Sequence, residues 1–165
     1  NLTSAAYYIL LNTTAAQASS STSWNNTAPT SSVFSVGTDN SASGETFVAY
    51  CFAPVAGYSA FGSYTGNGSA DGPFVYTGFR PRYVLAKNIS VSDRWGVLNS
   101  ASSPYNMILL ELHANNADAE GGAGEVDFLS NGFKMRSNNS VFNSSGANCI
   151  YMAFAENPFK YSLAR

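Results

Sequence analysis

The chain predicts an all-β fold, and three observations carry that prediction. Short apolar runs rich in aromatic and β-branched residues recur along its whole length. Clusters of Gly, Asn, Ser and Pro, the residues of turns, punctuate them. Only two stretches, Thr14–Ser21 and Asn115–Glu120, have the composition of even a helical turn.

The strand candidates, in order, are Ala6–Leu11, Ser32–Val36, Thr46–Ala53, Pro73–Thr77, Tyr83–Lys87, Trp95–Leu98, Met107–Leu112, Val126–Leu129, Phe133–Arg136 and Cys149–Ala155. About ten short strands separated by turn residues point to an antiparallel sandwich or a barrel. Asn67-Gly68 and Asn131-Gly132 are turn candidates, because both residue types tolerate positive φ. Pro73 and Pro81 suit strand starts or edges, where a missing N–H costs no ladder bond. In the glycine-rich stretch around them, Gly66, Gly68 and Gly72 are read as backbone positions closed to other residues.

Composition narrows the function classes. Charged residues make up 11% of the chain, about half the usual share. The polar surface comes instead from 24 serines, 17 asparagines and 10 threonines. Eight basic residues form no basic stripe, so nucleic acid is not an expected partner. Aromatic content of 14% excludes a disordered chain. No apolar run approaches the roughly 18 residues of a membrane helix, so no membrane insertion is expected. Asn1-Leu2-Thr3 opens the chain without a signal peptide pattern, as in a piece of a longer or processed polypeptide. Cys51 and Cys149 lie in apolar runs and read as two buried free thiols; pairing between them depends on geometry the sequence does not set.

An internal repeat of about 100 residues organises the chain. Ile9-Leu10-Leu11 recurs as Ile108-Leu109-Leu110, and Phe34 as Phe133. Ser43-Gly44 recurs as Ser145-Gly146, and Phe52-Ala53 as Phe154-Ala155, after a short insertion. This divides the chain into residues 1–53, the C-terminal part of a first β repeat, and residues 54–165, a Gly-rich hairpin with a complete second repeat. A single sandwich spanning residues 1–165 is the alternative. The repeat also implies an N-terminal extension of the natural polypeptide by strands like Gly78–Ser100.

Several motifs are similar to those of phage tail-fibre-like and virion surface proteins. They are Phe61-Gly-Ser-Tyr-Thr-Gly-Asn-Gly68, Asp71-Gly-Pro-Phe-Val-Tyr-Thr-Gly-Phe-Arg-Pro81, Asp127-Phe-Leu-Ser-Asn-Gly-Phe-Lys-Met-Arg136 and Tyr151-Met-Ala-Phe-Ala-Glu-Asn-Pro-Phe-Lys160. The resemblance implies a concanavalin-A-like or jelly-roll sandwich on a virion, outside the cell. It carries no catalytic motif. The expected role is a structural and adhesive module, a tail fibre or spike tip that forms a homo-oligomer, joins other virion proteins and contacts host surface polysaccharide. The alternatives are a non-binding capsid decoration or fibre-shaft subunit, and an extracellular filament protein.

The candidate chemistry is sparse. Glu125-Val-Asp127-Phe-Leu129 resembles the strand of laminarinase-type glycosidases, but Leu129 stands where the acid would be. Glu125 and Asp127 are therefore read as solvated, and the chain as no enzyme. His113, the one histidine, lacks a nucleophile elbow and excludes a multi-His metal site. Asn115, Asn116, Asp118 and Glu120 offer oxygen donors to calcium without the spacing of a defined calcium loop; no other cofactor is expected. Glycan contacts would come from loop aromatics next to amides: Trp24 with Asn25 and Asn26, Tyr58, Tyr64 with Asn67, and Tyr105 with Asn106. Trp95 reads as core. Asn-x-Ser/Thr sequons begin at Asn1, Asn12, Asn25, Asn67, Asn88, Asn138 and Asn143.

Overall fold

The structure, a computed structural model, describes residues 4–158, apart from the side chains of residues 123 and 124. Its ten strands are β1 (Tyr7–Tyr8), β2 (Ala18–Ser19), β3 (Ser59–Thr65), β4 (Phe74–Tyr76), β5 (Pro81–Asn88), β6 (Gly96–Asn99), β7 (Ile108–His113), β8 (Gly121–Leu129), β9 (Gly132–Met135) and β10 (Asn148–Ala155). One helical turn, α1 (Ser140–Asn143), precedes β10. β1 and β2 pair only with each other, and the other eight form one antiparallel sheet in the order β3-β10-β5-β6-β7-β8-β9-β4.

That sheet rolls over its own inner face to make an antiparallel β-sandwich. Alternate residues of each strand share a face, so Val84, Leu98, Ile108, Val126, Phe128 and Phe133 all turn inward, each with 0% of its surface exposed. Burying each such side chain stabilises the fold by about 1.5–3 kcal/mol. Rings from the two halves of the sheet meet across this core: Phe133 of β9 packs edge-on against Tyr64 of β3 and Tyr151 of β10. α1 closes one end with Val141 and Phe142, both 1% exposed. The Asn139 side chain caps it by accepting from the Val141 N–H.

The first third of the chain follows other rules. Residues 9–17 cross the outer face of the sheet, tied by Gln17 N–H to the Ile89 carbonyl, Asp93 N–H to the Thr14 carbonyl, and the Trp95 indole N–H to the Leu10 carbonyl at 2.9 Å. Trp95 is thus buried, as expected. Of the expected strand Ala6–Leu11 only Tyr7–Tyr8 pairs. Ser32–Val36 and Thr46–Ala53 form no strand, and Thr14–Ser21 and Asn115–Glu120 form no helix. The segments expected to repeat one another take different conformations: Phe133 sits in a ladder, whereas Phe34 lies in irregular chain with 46% of its surface exposed.

Candidate functional site

Three places concentrate polar or concave surface. The first is built by residues 20–41. The Asp39 carboxylate oxygen accepts from the hydroxyls of Ser20 (3.3 Å), Thr22 (2.9 Å) and Ser23 (2.9 Å), which folds the loop around one anion. Hydroxyl donation from Thr22 and Ser23 holds this carboxyl below the ordinary aspartate range. Gly37 closes the knot, because a Cβ there would stand 2.0 Å from the Thr22 carbonyl oxygen. The result is an open groove of about 250 Å³ lined by Ser21, Thr22, Asn25, Gly37, Thr38 and Ser41, with Val36 at its side. Asn25 and Asn26 adopt φ of 51° and 48°. They carry the turn beside Trp24, which is 36% exposed.

An apolar groove of about 390 Å³ forms the second, between Ile9 and Leu11 of the crossing arm and Phe61, Leu85, Ile150 and Met152 on the outer face of the sheet. The third is an ion cluster on β7. Glu111 is 1% exposed and receives both arms of Arg94, Nε to Oε1 at 2.9 Å and Nη2 to Oε2 at 3.2 Å. His113 Nε2 lies 3.6 Å from Glu111 Oε1, and its Nδ1 lies 3.0 Å from Asn116 Oδ1 and 3.3 Å from Asp118 Oδ2. Both ring nitrogens of His113 thus face carboxylate or amide oxygens rather than a serine hydroxyl. This arrangement holds a buried carboxylate in place and presents no nucleophile.

The structure scatters the residues expected to touch glycan. Tyr105 is 83% exposed and Tyr58 39%. Tyr58 also packs edge-on against Phe154. Tyr64 is a correction: its ring lies in the core and its hydroxyl donates to the Phe142 carbonyl at 2.9 Å. Burial, above all, pushes that phenol well above its ordinary range. Asn67 is a loop staple, donating its N–H to Asn143 Oδ1 at 2.8 Å and its amide to the Asp71 carbonyl at 2.9 Å. Asn106 brackets Phe128, accepting from its N–H and donating to its carbonyl, both at 3.0 Å. Of all these only Asn25 lines one of the two grooves, and Trp24 precedes it in the chain.

Other expectations shift as well. Asn115 accepts from the Trp95 N–H at 2.8 Å, and Asp118 is engaged with His113 and Asn116, while Glu120 is exposed. Among the described residues no group of three His, Cys, Asp or Glu side chains is placed to hold a metal ion. Asp127 is buried rather than solvated, and pairs with Arg136. Cys149 is buried, as read, but Cys51 is exposed, and both are free thiols. Of the sequons, Asn88 and Asn143 are fully buried, and Asn1 lies outside the described residues, as do Phe159 and Lys160 of the last motif. Sequence reading missed the buried polar set: Lys87, 0% exposed, donates to the carbonyls of Thr14, Asn88 and Val91 at 3.0–3.3 Å. Desolvation lowers its ammonium below the ordinary lysine range. A lysine at the end of an apolar strand was the one signal available.

Fold and site together define a class: an antiparallel β-sandwich with a polar loop groove. Residues 1–158 match a family described as a domain of unknown function, DUF7483, and the chain belongs to that family. No curated protein and no solved structure matches it. Among the described residues no helix is long and apolar enough to cross a membrane.

Proposed function

We propose that this domain is a non-catalytic structural and adhesive module of a phage particle, a tail fibre or spike tip. It acts as a homo-oligomer beside other virion proteins and contacts host surface polysaccharide through the groove next to Trp24. The virion setting rests on the resemblance of the motifs between Phe61 and Lys160. The adhesive reading rests on one observation: Ser21, Thr22, Asn25, Thr38 and Ser41 line one open groove, and Asn25 is preceded in the chain by Trp24, 36% exposed. Sugars offer hydroxyls to such polar groups and an apolar ring face to an aromatic side chain.

Titration calorimetry of the domain with host surface polysaccharide tests the reading in native and variant chains alike. Tryptophan fluorescence follows it in the native chain, where Trp95 is buried and Trp24 is exposed. Binding should be saturable and should weaken by about tenfold or more in Trp24→Ala. Absence of binding, or binding unchanged in Trp24→Ala, removes the adhesive reading. In that case the non-binding decoration or shaft subunit becomes the better account.

A further inference from the structure

The two edges of the eight-stranded sheet are protected very differently. β4 is three residues long, and Lys134 on its neighbour forms an ion pair with Asp71 at 2.8 Å just before it. A short edge with charge beside it resists pairing with other chains. β3 is seven residues long and pairs on one side only, with β10. The Tyr58 carbonyl accepts from Ala155 on the β10 side, whereas Ser59 exchanges bonds with Val55 on the other. By the two-residue period of a strand, Phe61 and Ser63 also turn their N–H and C=O outward. No Lys, Arg, Asp or Glu occurs between Glu45 and Asp71.

A second unpaired edge runs beside this one. Thr46–Ala53 has strand-forming composition, yet it lies as irregular chain with Phe47 50%, Val48 75%, Tyr50 83% and Phe52 58% exposed. Extending the Val55↔Ser59 bridge as a hairpin would place Ala53 opposite Phe61 and Cys51 opposite Ser63. That closure is not made. The Ala53 carbonyl accepts from the Ser59 hydroxyl at 3.1 Å, a side-chain bond in place of a ladder bond. The Phe52 ring packs instead against Phe61 and Phe154. The chain's own strip thus touches β3 through side chains at its last two residues only, and the β3 edge beyond Ser59 has no ladder partner among the described residues.

We propose that a second copy of this chain fills the vacancy, with Thr46–Ala53 of each copy adding as a strand to β3 of the other across a two-fold axis. The occupant is argued from charge and area. A strip without any charge offers no ionic recognition to a different partner, but it is complementary to an equally neutral edge. At about 150–250 Å² per aromatic side chain, the three exposed rings of the strip present roughly 400 Å² per copy. Two copies therefore supply about 800 Å² before Val48 and the β3 edge are counted, on the way to the roughly 1,200 Å² of a stable interface. Reciprocal exchange of one element is a common route to closed two-fold dimers. The proposal rests only on the homo-oligomer in the reading above and gives that oligomer a surface.

Light scattering of the full chain during size exclusion, over a range of concentrations, is the first measurement. A dimer is expected for the native chain, and its dissociation constant should rise by about tenfold or more in Val48→Lys and in Tyr50→Lys. Both side chains are exposed in the single chain, so circular dichroism of the variants should match the parent. Mild oxidation of Ser63→Cys is the second, since it sets a thiol opposite Cys51. Trapping as a covalent dimer supports the exchange; a covalent monomer means that the strip closes on its own β3 and overturns it. A native chain that stays monomeric, or a dimer unaffected by both lysines, also overturns it. Glycan binding by a monomer would leave the adhesive reading standing without this interface, and a dimer that binds no glycan would do the reverse.

Discussion

Thr46–Ala53 and Asn148–Ala155 are two octapeptides of nearly the same character, each with a cysteine, a tyrosine and a closing Phe-Ala. Their fates are opposite. The second lies between β3 and β5 and bonds on both sides, while the first joins no ladder. Intrinsic preference is therefore not what separates them. Strand propensity measures how well side chains fit a pleated, half-buried surface, and such a surface exists only where ladder partners are present. β10 inherits two partners from the topology. Thr46–Ala53 meets one edge, and there its Ala53 carbonyl bonds the Ser59 hydroxyl instead of joining a ladder.

The sharpest way to break this comparison is to cut the two phenylalanines matched by the expected repeat. Phe133→Ala removes a fully buried ring and should cost about 3–5 kcal/mol of unfolding free energy. Phe34→Ala, at the corresponding position, should change it by no more than about 0.5 kcal/mol, the range of surface substitutions. Urea denaturation followed by circular dichroism reads both. Equal effects would mean that residues 30–54 carry a core of their own.

A smaller effect separates two tyrosines. Tyr64→Phe leaves the core volume intact but deletes the hydroxyl that bonds the Phe142 carbonyl at 2.9 Å. One lost buried hydrogen bond should cost about 1 kcal/mol. Tyr50→Phe, at 83% exposure, should leave the stability of the single chain unchanged. A change in Tyr50→Phe that grows with protein concentration would place Tyr50 in the proposed interface instead.

The same contrast explains what the sequence reveals. Strands β4 to β7, β9 and β10 coincide with apolar runs, and β8 does so over Val126–Leu129 only, because each run there has a neighbour on at least one side. The expected strands Ser32–Val36 and Thr46–Ala53 have equal composition but lack the partner, and partners are set by topology rather than by local pattern. β3 was hidden for the opposite reason: Gly62, Gly66 and Gly68 gave Phe61–Gly68 the look of a turn. Gly62 is in fact strand, its missing side chain leaving room for the Tyr151 ring, which a Cβ would approach to 2.9 Å. In the candidate site, Trp24 and Asn25 are legible as an aromatic beside an amide. Asp39, which shapes the groove, is not, since its three hydroxyl partners come from residues 16 to 19 positions away.

The least perturbing test of the comparison uses the thiols. Cys149 is buried beneath Tyr64 and Phe142, and desolvation, the largest cause, pushes its pKa up to about 11. Cys51 is exposed in the unpaired strip. A thiol-specific reagent at pH 8 should therefore label one cysteine in the folded chain and two in denaturant. The linkage has a definite sign. A thiol raised from the unfolded value near 8.5 to about 11 contributes its stability fully below pH 8.5 and loses it as the pH rises toward 11. Labelling of Cys149 should accordingly begin only in that alkaline window, as the fold loosens. Protection of Cys51 that increases with protein concentration would come from the second copy covering the strip, whereas protection in dilute monomer would show the strip folded back on its own β3.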